Sequence, residues 1–270
     1  ESQVLASWPR TADDQLDLAQ APLTLQAIVN RFDLRNLASG DAGEGRFVFA
    51  FDLAPVPGAP PPQATIIFEY KLPARRDQDV TRWAESFHAL GRLPFGERYN
   101  AALQVITERF ARRGARPGFP NGSAINAERT NEIPFGDNVP AVLWELREFR
   151  LSSISGELEP AALELTPDSA FNNSDTLAAY INANQAQIIA ETHTVPDVLD
   201  GAPFKAGAVF NRLTTWFAPG VDTEARHHFA INTCNGCHAA QETGTGFLHL
   251  VPRSPGTESA RSRWLTGTVI

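Results

Sequence analysis

With 270 residues, 43% of them hydrophobic and 20% charged, the chain has the composition of a globular protein with a real core, which excludes a disordered one. A formal net charge of −8 and a pI near 5.3 exclude a phosphate-binding surface of clustered lysine and arginine, so nucleic acid is not expected as a partner. No apolar run of about 18 residues occurs, so no transmembrane span is expected. The chain starts at Glu1 without an initiator methionine, which leads us to expect a mature or trimmed product.

The first third reads as a β-meander. A candidate strand covers Leu23–Leu34. In Gly45–Leu53 the residues Phe47, Phe49, Phe51 and Leu53 alternate with Val48, Ala50 and Asp52, the period-two pattern of a strand with one face on a core. Ala64–Leu72 repeats it, with Ile66, Phe68, Tyr70 and Leu72 on one side and Thr65, Glu69 and Lys71 on the other. Pro55–Pro62 between them cannot join a ladder and is expected as loop.

Helices follow. Val80, Trp83, Phe87 and Leu90 recur at helical spacing between an Asp79 cap and Gly91, as do Tyr99, Leu103, Ile106 and Phe110 ahead of Gly114. These should cover the sheet. Ser123–Ile133 and Ala141–Leu151 look extended, and Leu177, Tyr180, Ile181, Asn184 and Ile188 predict a further amphipathic helix after Ser174. Residues 151–220 are acid-rich and carry only Lys205 and Arg212 as bases, a solvated face or a docking patch for a basic partner. The expected fold class is α+β: an antiparallel β-sheet body covered by amphipathic helices over residues 1–220, then a C-terminal helical and loop segment at 221–270, divided at Ala218–Pro219–Gly220.

That last segment carries the chemistry. Cys234–Asn235–Gly236–Cys237–His238 places two thiols three residues apart, on one side of a helical turn, where both can reach the vinyl edge of a haem. His238 then follows beneath the ring as proximal iron ligand. Asp222 is a good cap for a helix through Thr223–Thr233, with Ala225 and Phe229 on a packing face. Competing readings are a Cys234–Cys237 disulfide and a zinc site of Cys234, Cys237 and His249 with His227 or His228.

The chain has no methionine, so a His/Met haem is excluded and a second histidine, a weaker ligand or an open position remains. On a rigid helix His227 and His228 would stay proximal. His88 sits among Trp83 and Phe87 as a core-edge residue, and His193 lies near a proline-containing loop. His249 follows the glycine-bearing loop Glu242–Gly246 and is the expected distal ligand. Arg253 is the expected partner for haem propionates, ahead of Arg261 and Arg263.

The pentapeptide resembles the attachment motif of c-type cytochromes. Together with Arg129–Thr130–Asn131–Glu132, Trp144–Glu145–Leu146–Arg147–Glu148–Phe149 and Phe247–Leu248–His249, it resembles a group of uncharacterised exported bacterial haem-c lipoproteins. This resemblance implies one covalent haem c; with the residues read above, the expected cofactor-binding set is Cys234, Cys237, His238, His249 and Arg253, with His238 and His249 on the iron. It also implies a place in the periplasm or on the outer surface of a Gram-negative bacterium, with a lipid anchor as one form, but brings no known activity; single-electron transfer to a redox partner protein of the cell envelope is the expectation drawn from the attachment motif, the missing methionine and His249. The layout is similar to that of the cytochrome c-prime-beta group and its lysine-crosslinked relatives, but neither lysine, Lys71 or Lys205, sits in a matching motif. The rival expectation is a five-coordinate haem enzyme or gas-binding protein handling peroxide or small nitrogen oxides, its pocket walled by the aromatic-rich sheet. A third is a binding module with a structural haem.

Overall fold

The computed structural model describes residues 8–52, 64–132, 144–211, 215–244, 248–251, 253, 256–263 and 265–266. The Pro55–Pro62 connector and Thr245, Gly246 and Phe247 before His249 lie outside the described residues. The fold is α+β. Strands β1 (Leu23–Arg31), β2 (Asp41–Phe51), β3 (Thr65–Pro73), β4 (Ile125–Glu132), β5 (Trp144–Leu151) and β6 (Leu158–Ala161) pair in chain order. A two-residue pair, β7 (Val198–Leu199) and β8 (Ala202–Pro203), stands apart, and β9 (Ala208–Asn211) completes the main sheet. β6 and β9 share the free edge of β5, pairing with its C-terminal and N-terminal halves respectively, and every pairing is antiparallel.

Helices α1 (Asp77–Leu90) and α2 (Glu97–Ala111) cover one face, as expected. Trp83, Leu90, Ile106 and Phe110 bury there against Leu72, Phe47 and Tyr70. Phe110 is fully buried, its ring 5.7 Å from Phe47, 5.9 Å from Tyr70 and 5.9 Å from Trp83, so truncating it to alanine would cost about 3–5 kcal/mol. The ring lies on Gly45, where a Cβ would stand 2.7 Å from it. Asp79 proves to be the third residue of α1, its carboxylate accepting from the Arg75 and Arg76 backbone N–H groups.

The other face is covered too, which the alternation alone did not reveal. Val48 and Ala50 are buried, and so is Glu69. A bulge at Gln26 in β1 turns its amide toward the C-terminal segment, where Gln26 Oε1 accepts from the Arg253 backbone N–H at 3.1 Å and the Ser259 hydroxyl at 3.2 Å. Residues 249–251 and 260–262 pair antiparallel through Val251 N–H to Ala260 and Ser262 N–H to His249. This segment lies across the second face of the sheet.

A second core gathers Leu177, Tyr180 and Ile181 of α3 (Asp175–Ala183), Ile188 of α4 (Gln185–Ile189), Phe204 and Trp216, with Ala225, Phe229 and Ala230 of α5 (Thr223–Ile231). It therefore takes side chains from both sides of Gly220. The acids of residues 157–200 lie on the surface, all exposed except the half-buried Asp168. Among the described residues no helix is long and apolar enough to cross a membrane.

Candidate functional site

Asp222 caps α5 as expected, its Oδ1 accepting from Glu224 N–H at 3.0 Å and Ala225 N–H at 3.1 Å. The helix does not run through Thr233. It ends at Ile231, and Thr233 is extended (φ −96°, ψ 153°) and caps a new turn, α6 (Cys234–Cys237). Three bonds make Thr233 the pivot: its hydroxyl donates to Ala230 O at 2.7 Å and accepts from Gly236 N–H at 3.1 Å and from the Trp216 indole at 2.8 Å. Gly236 is required because a Cβ there would stand 2.0 Å from Ala230 O. Cys234 N–H donates to Thr166 Oγ1 at 2.9 Å, and His238 N–H to Cys234 O at 3.1 Å, closing the turn.

After His238 the chain enters α7 (Ala240–Thr243), fixed by Glu242. This buried carboxylate takes hydrogen bonds from the Thr215 hydroxyl, from Arg226 Nη1 at 2.5 Å and from His227 Nδ1 at 2.7 Å. Burial pushes its pKa up, but the bonds from Arg226, Thr215 and His227 outweigh that and hold it below the usual carboxylate range.

Cys234, Cys237, His238 and His249 line one cavity of about 290 Å³ between the C-terminal segment and the second face of the sheet. The His238 and His249 rings stand 4.7 Å apart between centroids, inclined by 62°. His249 Nδ1 lies 2.8 Å from Ser262 Oγ, and Nε2 lies 3.5 Å from Cys237 Sγ. Burial, with the Arg31 charge adding to it, lowers the His249 pKa to about 4, so the ring is neutral at pH 7, the form that ligates iron. Both cysteines are free thiols. Burial raises both pKa values, that of Cys237 to about 11 with the neighbouring Cys234 contributing.

The cavity's far wall is the sheet. Arg31 of β1, Glu44 and Arg46 of β2, Glu69 of β3 and Arg129 of β4 line it beside Val29, Val48 and Ile67. Arg46 meets Glu44 at 2.7 Å and Glu69 at 3.1 Å, while Arg129 meets Glu69 at 3.4 Å and Glu148 of β5 at 3.2 Å. The aromatic face, expected to wall a pocket, instead packs under α1 and α2. Alternation separates the two faces of a strand without saying what covers each, so the face of Thr65, Glu69 and Lys71 gave no sign of the cavity. The quoted stretches 129–132 and 144–149 supply Arg129, Asn131 and Leu146 to this wall.

The remaining histidines stand elsewhere. His88 is exposed on α1 and not at a core edge, and His193 is buried with its ring centroid 6.1 Å from that of Phe229. His227 is held by Glu242 and His228 lies 3.3 Å from Glu191, so neither lines the cavity with the cysteines. The break at Thr233, and not a rigid helix, determines where they lie. Among the described residues no cluster of three or more His, Cys, Asp or Glu side chains is arranged to hold a metal ion. Arg253, Arg261 and Arg263 lie outside the cavity lining, whose guanidinium groups come from Arg31, Arg46, Arg129 and Arg147.

A covalent haem fits this donor set. Two thiols on one turn, the following imidazole and a second imidazole face a single cavity of about 290 Å³, just below the roughly 300–1,000 Å³ usual for ligand and cofactor sites. At 4.7 Å between centroids the two rings stand too close for one metal to be held between them, so His238 and His249 would have to move apart to bind it together. No family model, curated protein or solved structure matches this chain.

Proposed function

We propose that the protein is an exported mono-haem c-type cytochrome that transfers single electrons to a partner in the cell envelope. The observation that carries this reading is the convergence of Cys234, Cys237, His238 and His249 on one cavity. A haem bound there supplies a one-electron couple at its iron. Cys234 and Cys237 would anchor it through their sulfurs, and His238 would give an imidazole to its iron. The contact of His249 Nδ1 with Ser262 Oγ at 2.8 Å would, with Ser262 as acceptor, hold the tautomer whose Nε2 could serve as a second ligand. Thr233 and Trp216 hold the turn that orients the two sulfurs.

The test is a pyridine haemochrome assay with intact mass on protein from a host that makes c-type cytochromes. One porphyrin joined by two thioethers is expected, and Cys234→Ala should leave a single thioether. Colourless protein with two free or mutually bridged sulfurs would refute the assignment.

A specific observation favours a second reading, a haem enzyme with an open distal position. Glu69 puts a carboxyl group, which can give or take a proton, on the cavity wall beside the two fixed cations Arg46 and Arg129, equipment for small-molecule chemistry that sequence alone could not name. High-spin ferric spectra with rapid CO binding would select this reading, and a low-spin spectrum unresponsive to CO would select bis-histidine electron transfer.

A further inference from the structure

Three carboxylates lie buried on the second face of the sheet, and they are not equally supported. Glu44 Oε2 takes two hydrogen bonds from Arg46, at 3.0 and 2.7 Å, and Oε1 takes one from Lys71 at 3.2 Å and one from Asn126 at 3.0 Å. Glu148 Oε1 accepts from Arg150 at 2.7 Å, and Oε2 lies 3.2 Å from Arg129. Glu69 is fully buried, yet neither of its oxygens makes a hydrogen bond. It has only the flanks of two guanidinium groups engaged elsewhere, Arg46 and Arg129, both reaching Oε1. Its surroundings are Glu44 and Arg46 from β2, Arg129 from β4, Glu148 from β5 and the thiol of Cys234 from α6. Of the three acids, the ionised form of Glu69 is the least compensated, and Glu69 lines the cavity that holds the cysteines and His238.

We propose that Glu69 is a redox-linked proton site: its carboxylate takes up one proton from solvent when the cofactor in this cavity gains one electron from an external one-electron donor, and it releases that proton on reoxidation. The inference rests on the haem reading of the site. One negative charge arrives and one proton follows it, so the buried charge of the cavity is unchanged. That balance matters where dielectric screening is weak: Glu44 and Glu148 are paired with Arg46, Lys71 and Arg150, so the repulsion an added electron meets comes mainly from ionised Glu69, the least compensated of the three. Burial, reinforced by Glu44 and Glu148 and opposed by Arg129 and Arg46, already pushes the Glu69 carboxyl upward, toward the range in which such exchange can occur.

The test is redox titration of the holoprotein and of Glu69→Gln across pH, with haem content measured on the same samples. For the wild type the potential should fall with rising pH, approaching about 59 mV for each tenfold drop in proton activity in the coupled window. Glu69→Gln should be flat there. Reduced-minus-oxidised infrared spectra should show a protonated carboxyl band appearing on reduction, absent in Glu69→Gln and shifted in Glu69→Asp, a shift that decides the matter if the glutamine variant fails to fold. Haem-loaded Glu69→Gln with the wild-type pH slope, or a wild type with no slope, would overturn the inference and leave the haem reading standing. Protein without haem would overturn both.

Discussion

His193 is an imidazole buried without a partner: 6% exposed, packed on Phe229, with no hydrogen bond to either ring nitrogen. Burial lowers its pKa below the usual histidine value, against a weaker upward pull from Glu191. The folded state therefore binds fewer protons than the unfolded chain between the two pKa values. The stability this gives is complete above the ordinary histidine pKa and is lost as pH falls through the depressed one. His193→Leu should unfold at higher urea concentration than wild type, by a margin that widens from pH 7 to pH 5. A margin constant across that range would show that His193 does not titrate against folding. At this scale the sequence was legible where chemistry depends on local spacing. Cys234, Cys237 and His238 could be read directly, because a helical turn alone brings them together. Glu69 could not, since its role comes from Arg46 and Arg129 on neighbouring strands, and a strand pattern contains no register.

Elements show the same division. The amphipathic periods of α1 and α2 were readable because each buries one stripe, and the Asp222 cap because its bond is local; the single helix expected through Ile188 breaks at Asn184 into α3 and α4. The break between α5 and α6 was not, since no proline marks it. What ends the helix is Thr233, whose hydroxyl turns back to Ala230 O and also accepts the Trp216 indole, a contact made across the fold. Gly236 is then pressed against the end of α5 with no room for a methyl group. Gly236→Ala should therefore cost about 1–3 kcal/mol in urea unfolding, the usual range for overpacking, because the backbone atom it meets belongs to a buried helix end. It should also lower haem incorporation, since the two sulfurs move with the turn. Wild-type stability and incorporation in this variant would mean that α6 can shift without loss.

For the molecule as a whole, the question is whether residues 1–220 stand alone. Composition shift and the Ala218–Pro219–Gly220 punctuation suggest a body followed by a cofactor segment, and the β-sheet with α1 and α2 has a core of its own. The second core does not respect that boundary. Trp216, Tyr180 and Phe204 pack with Phe229 and Ala225 of α5, and the Trp216 indole finds its acceptors on Thr233 and Asn235. Cutting after Gly220 would expose the faces of Trp216, Tyr180 and Phe204 and orphan the indole N–H. It would also open the sheet's second face, leaving Glu69, Glu148 and Arg129 at the bottom of a groove. Removing Phe229 alone would be expected to cost about 3–5 kcal/mol, a large share of the roughly 5–15 kcal/mol that stabilises a typical domain. The fragment 1–220 should therefore lose the cooperative packing of its 163–216 region, read as collapsed amide protection in α3 and α4, while α1, α2 and the first four strands remain protected. Full protection of α3 and α4 in the fragment would show that the C-terminal segment docks on a finished body; their collapse would make that segment part of the body's own core.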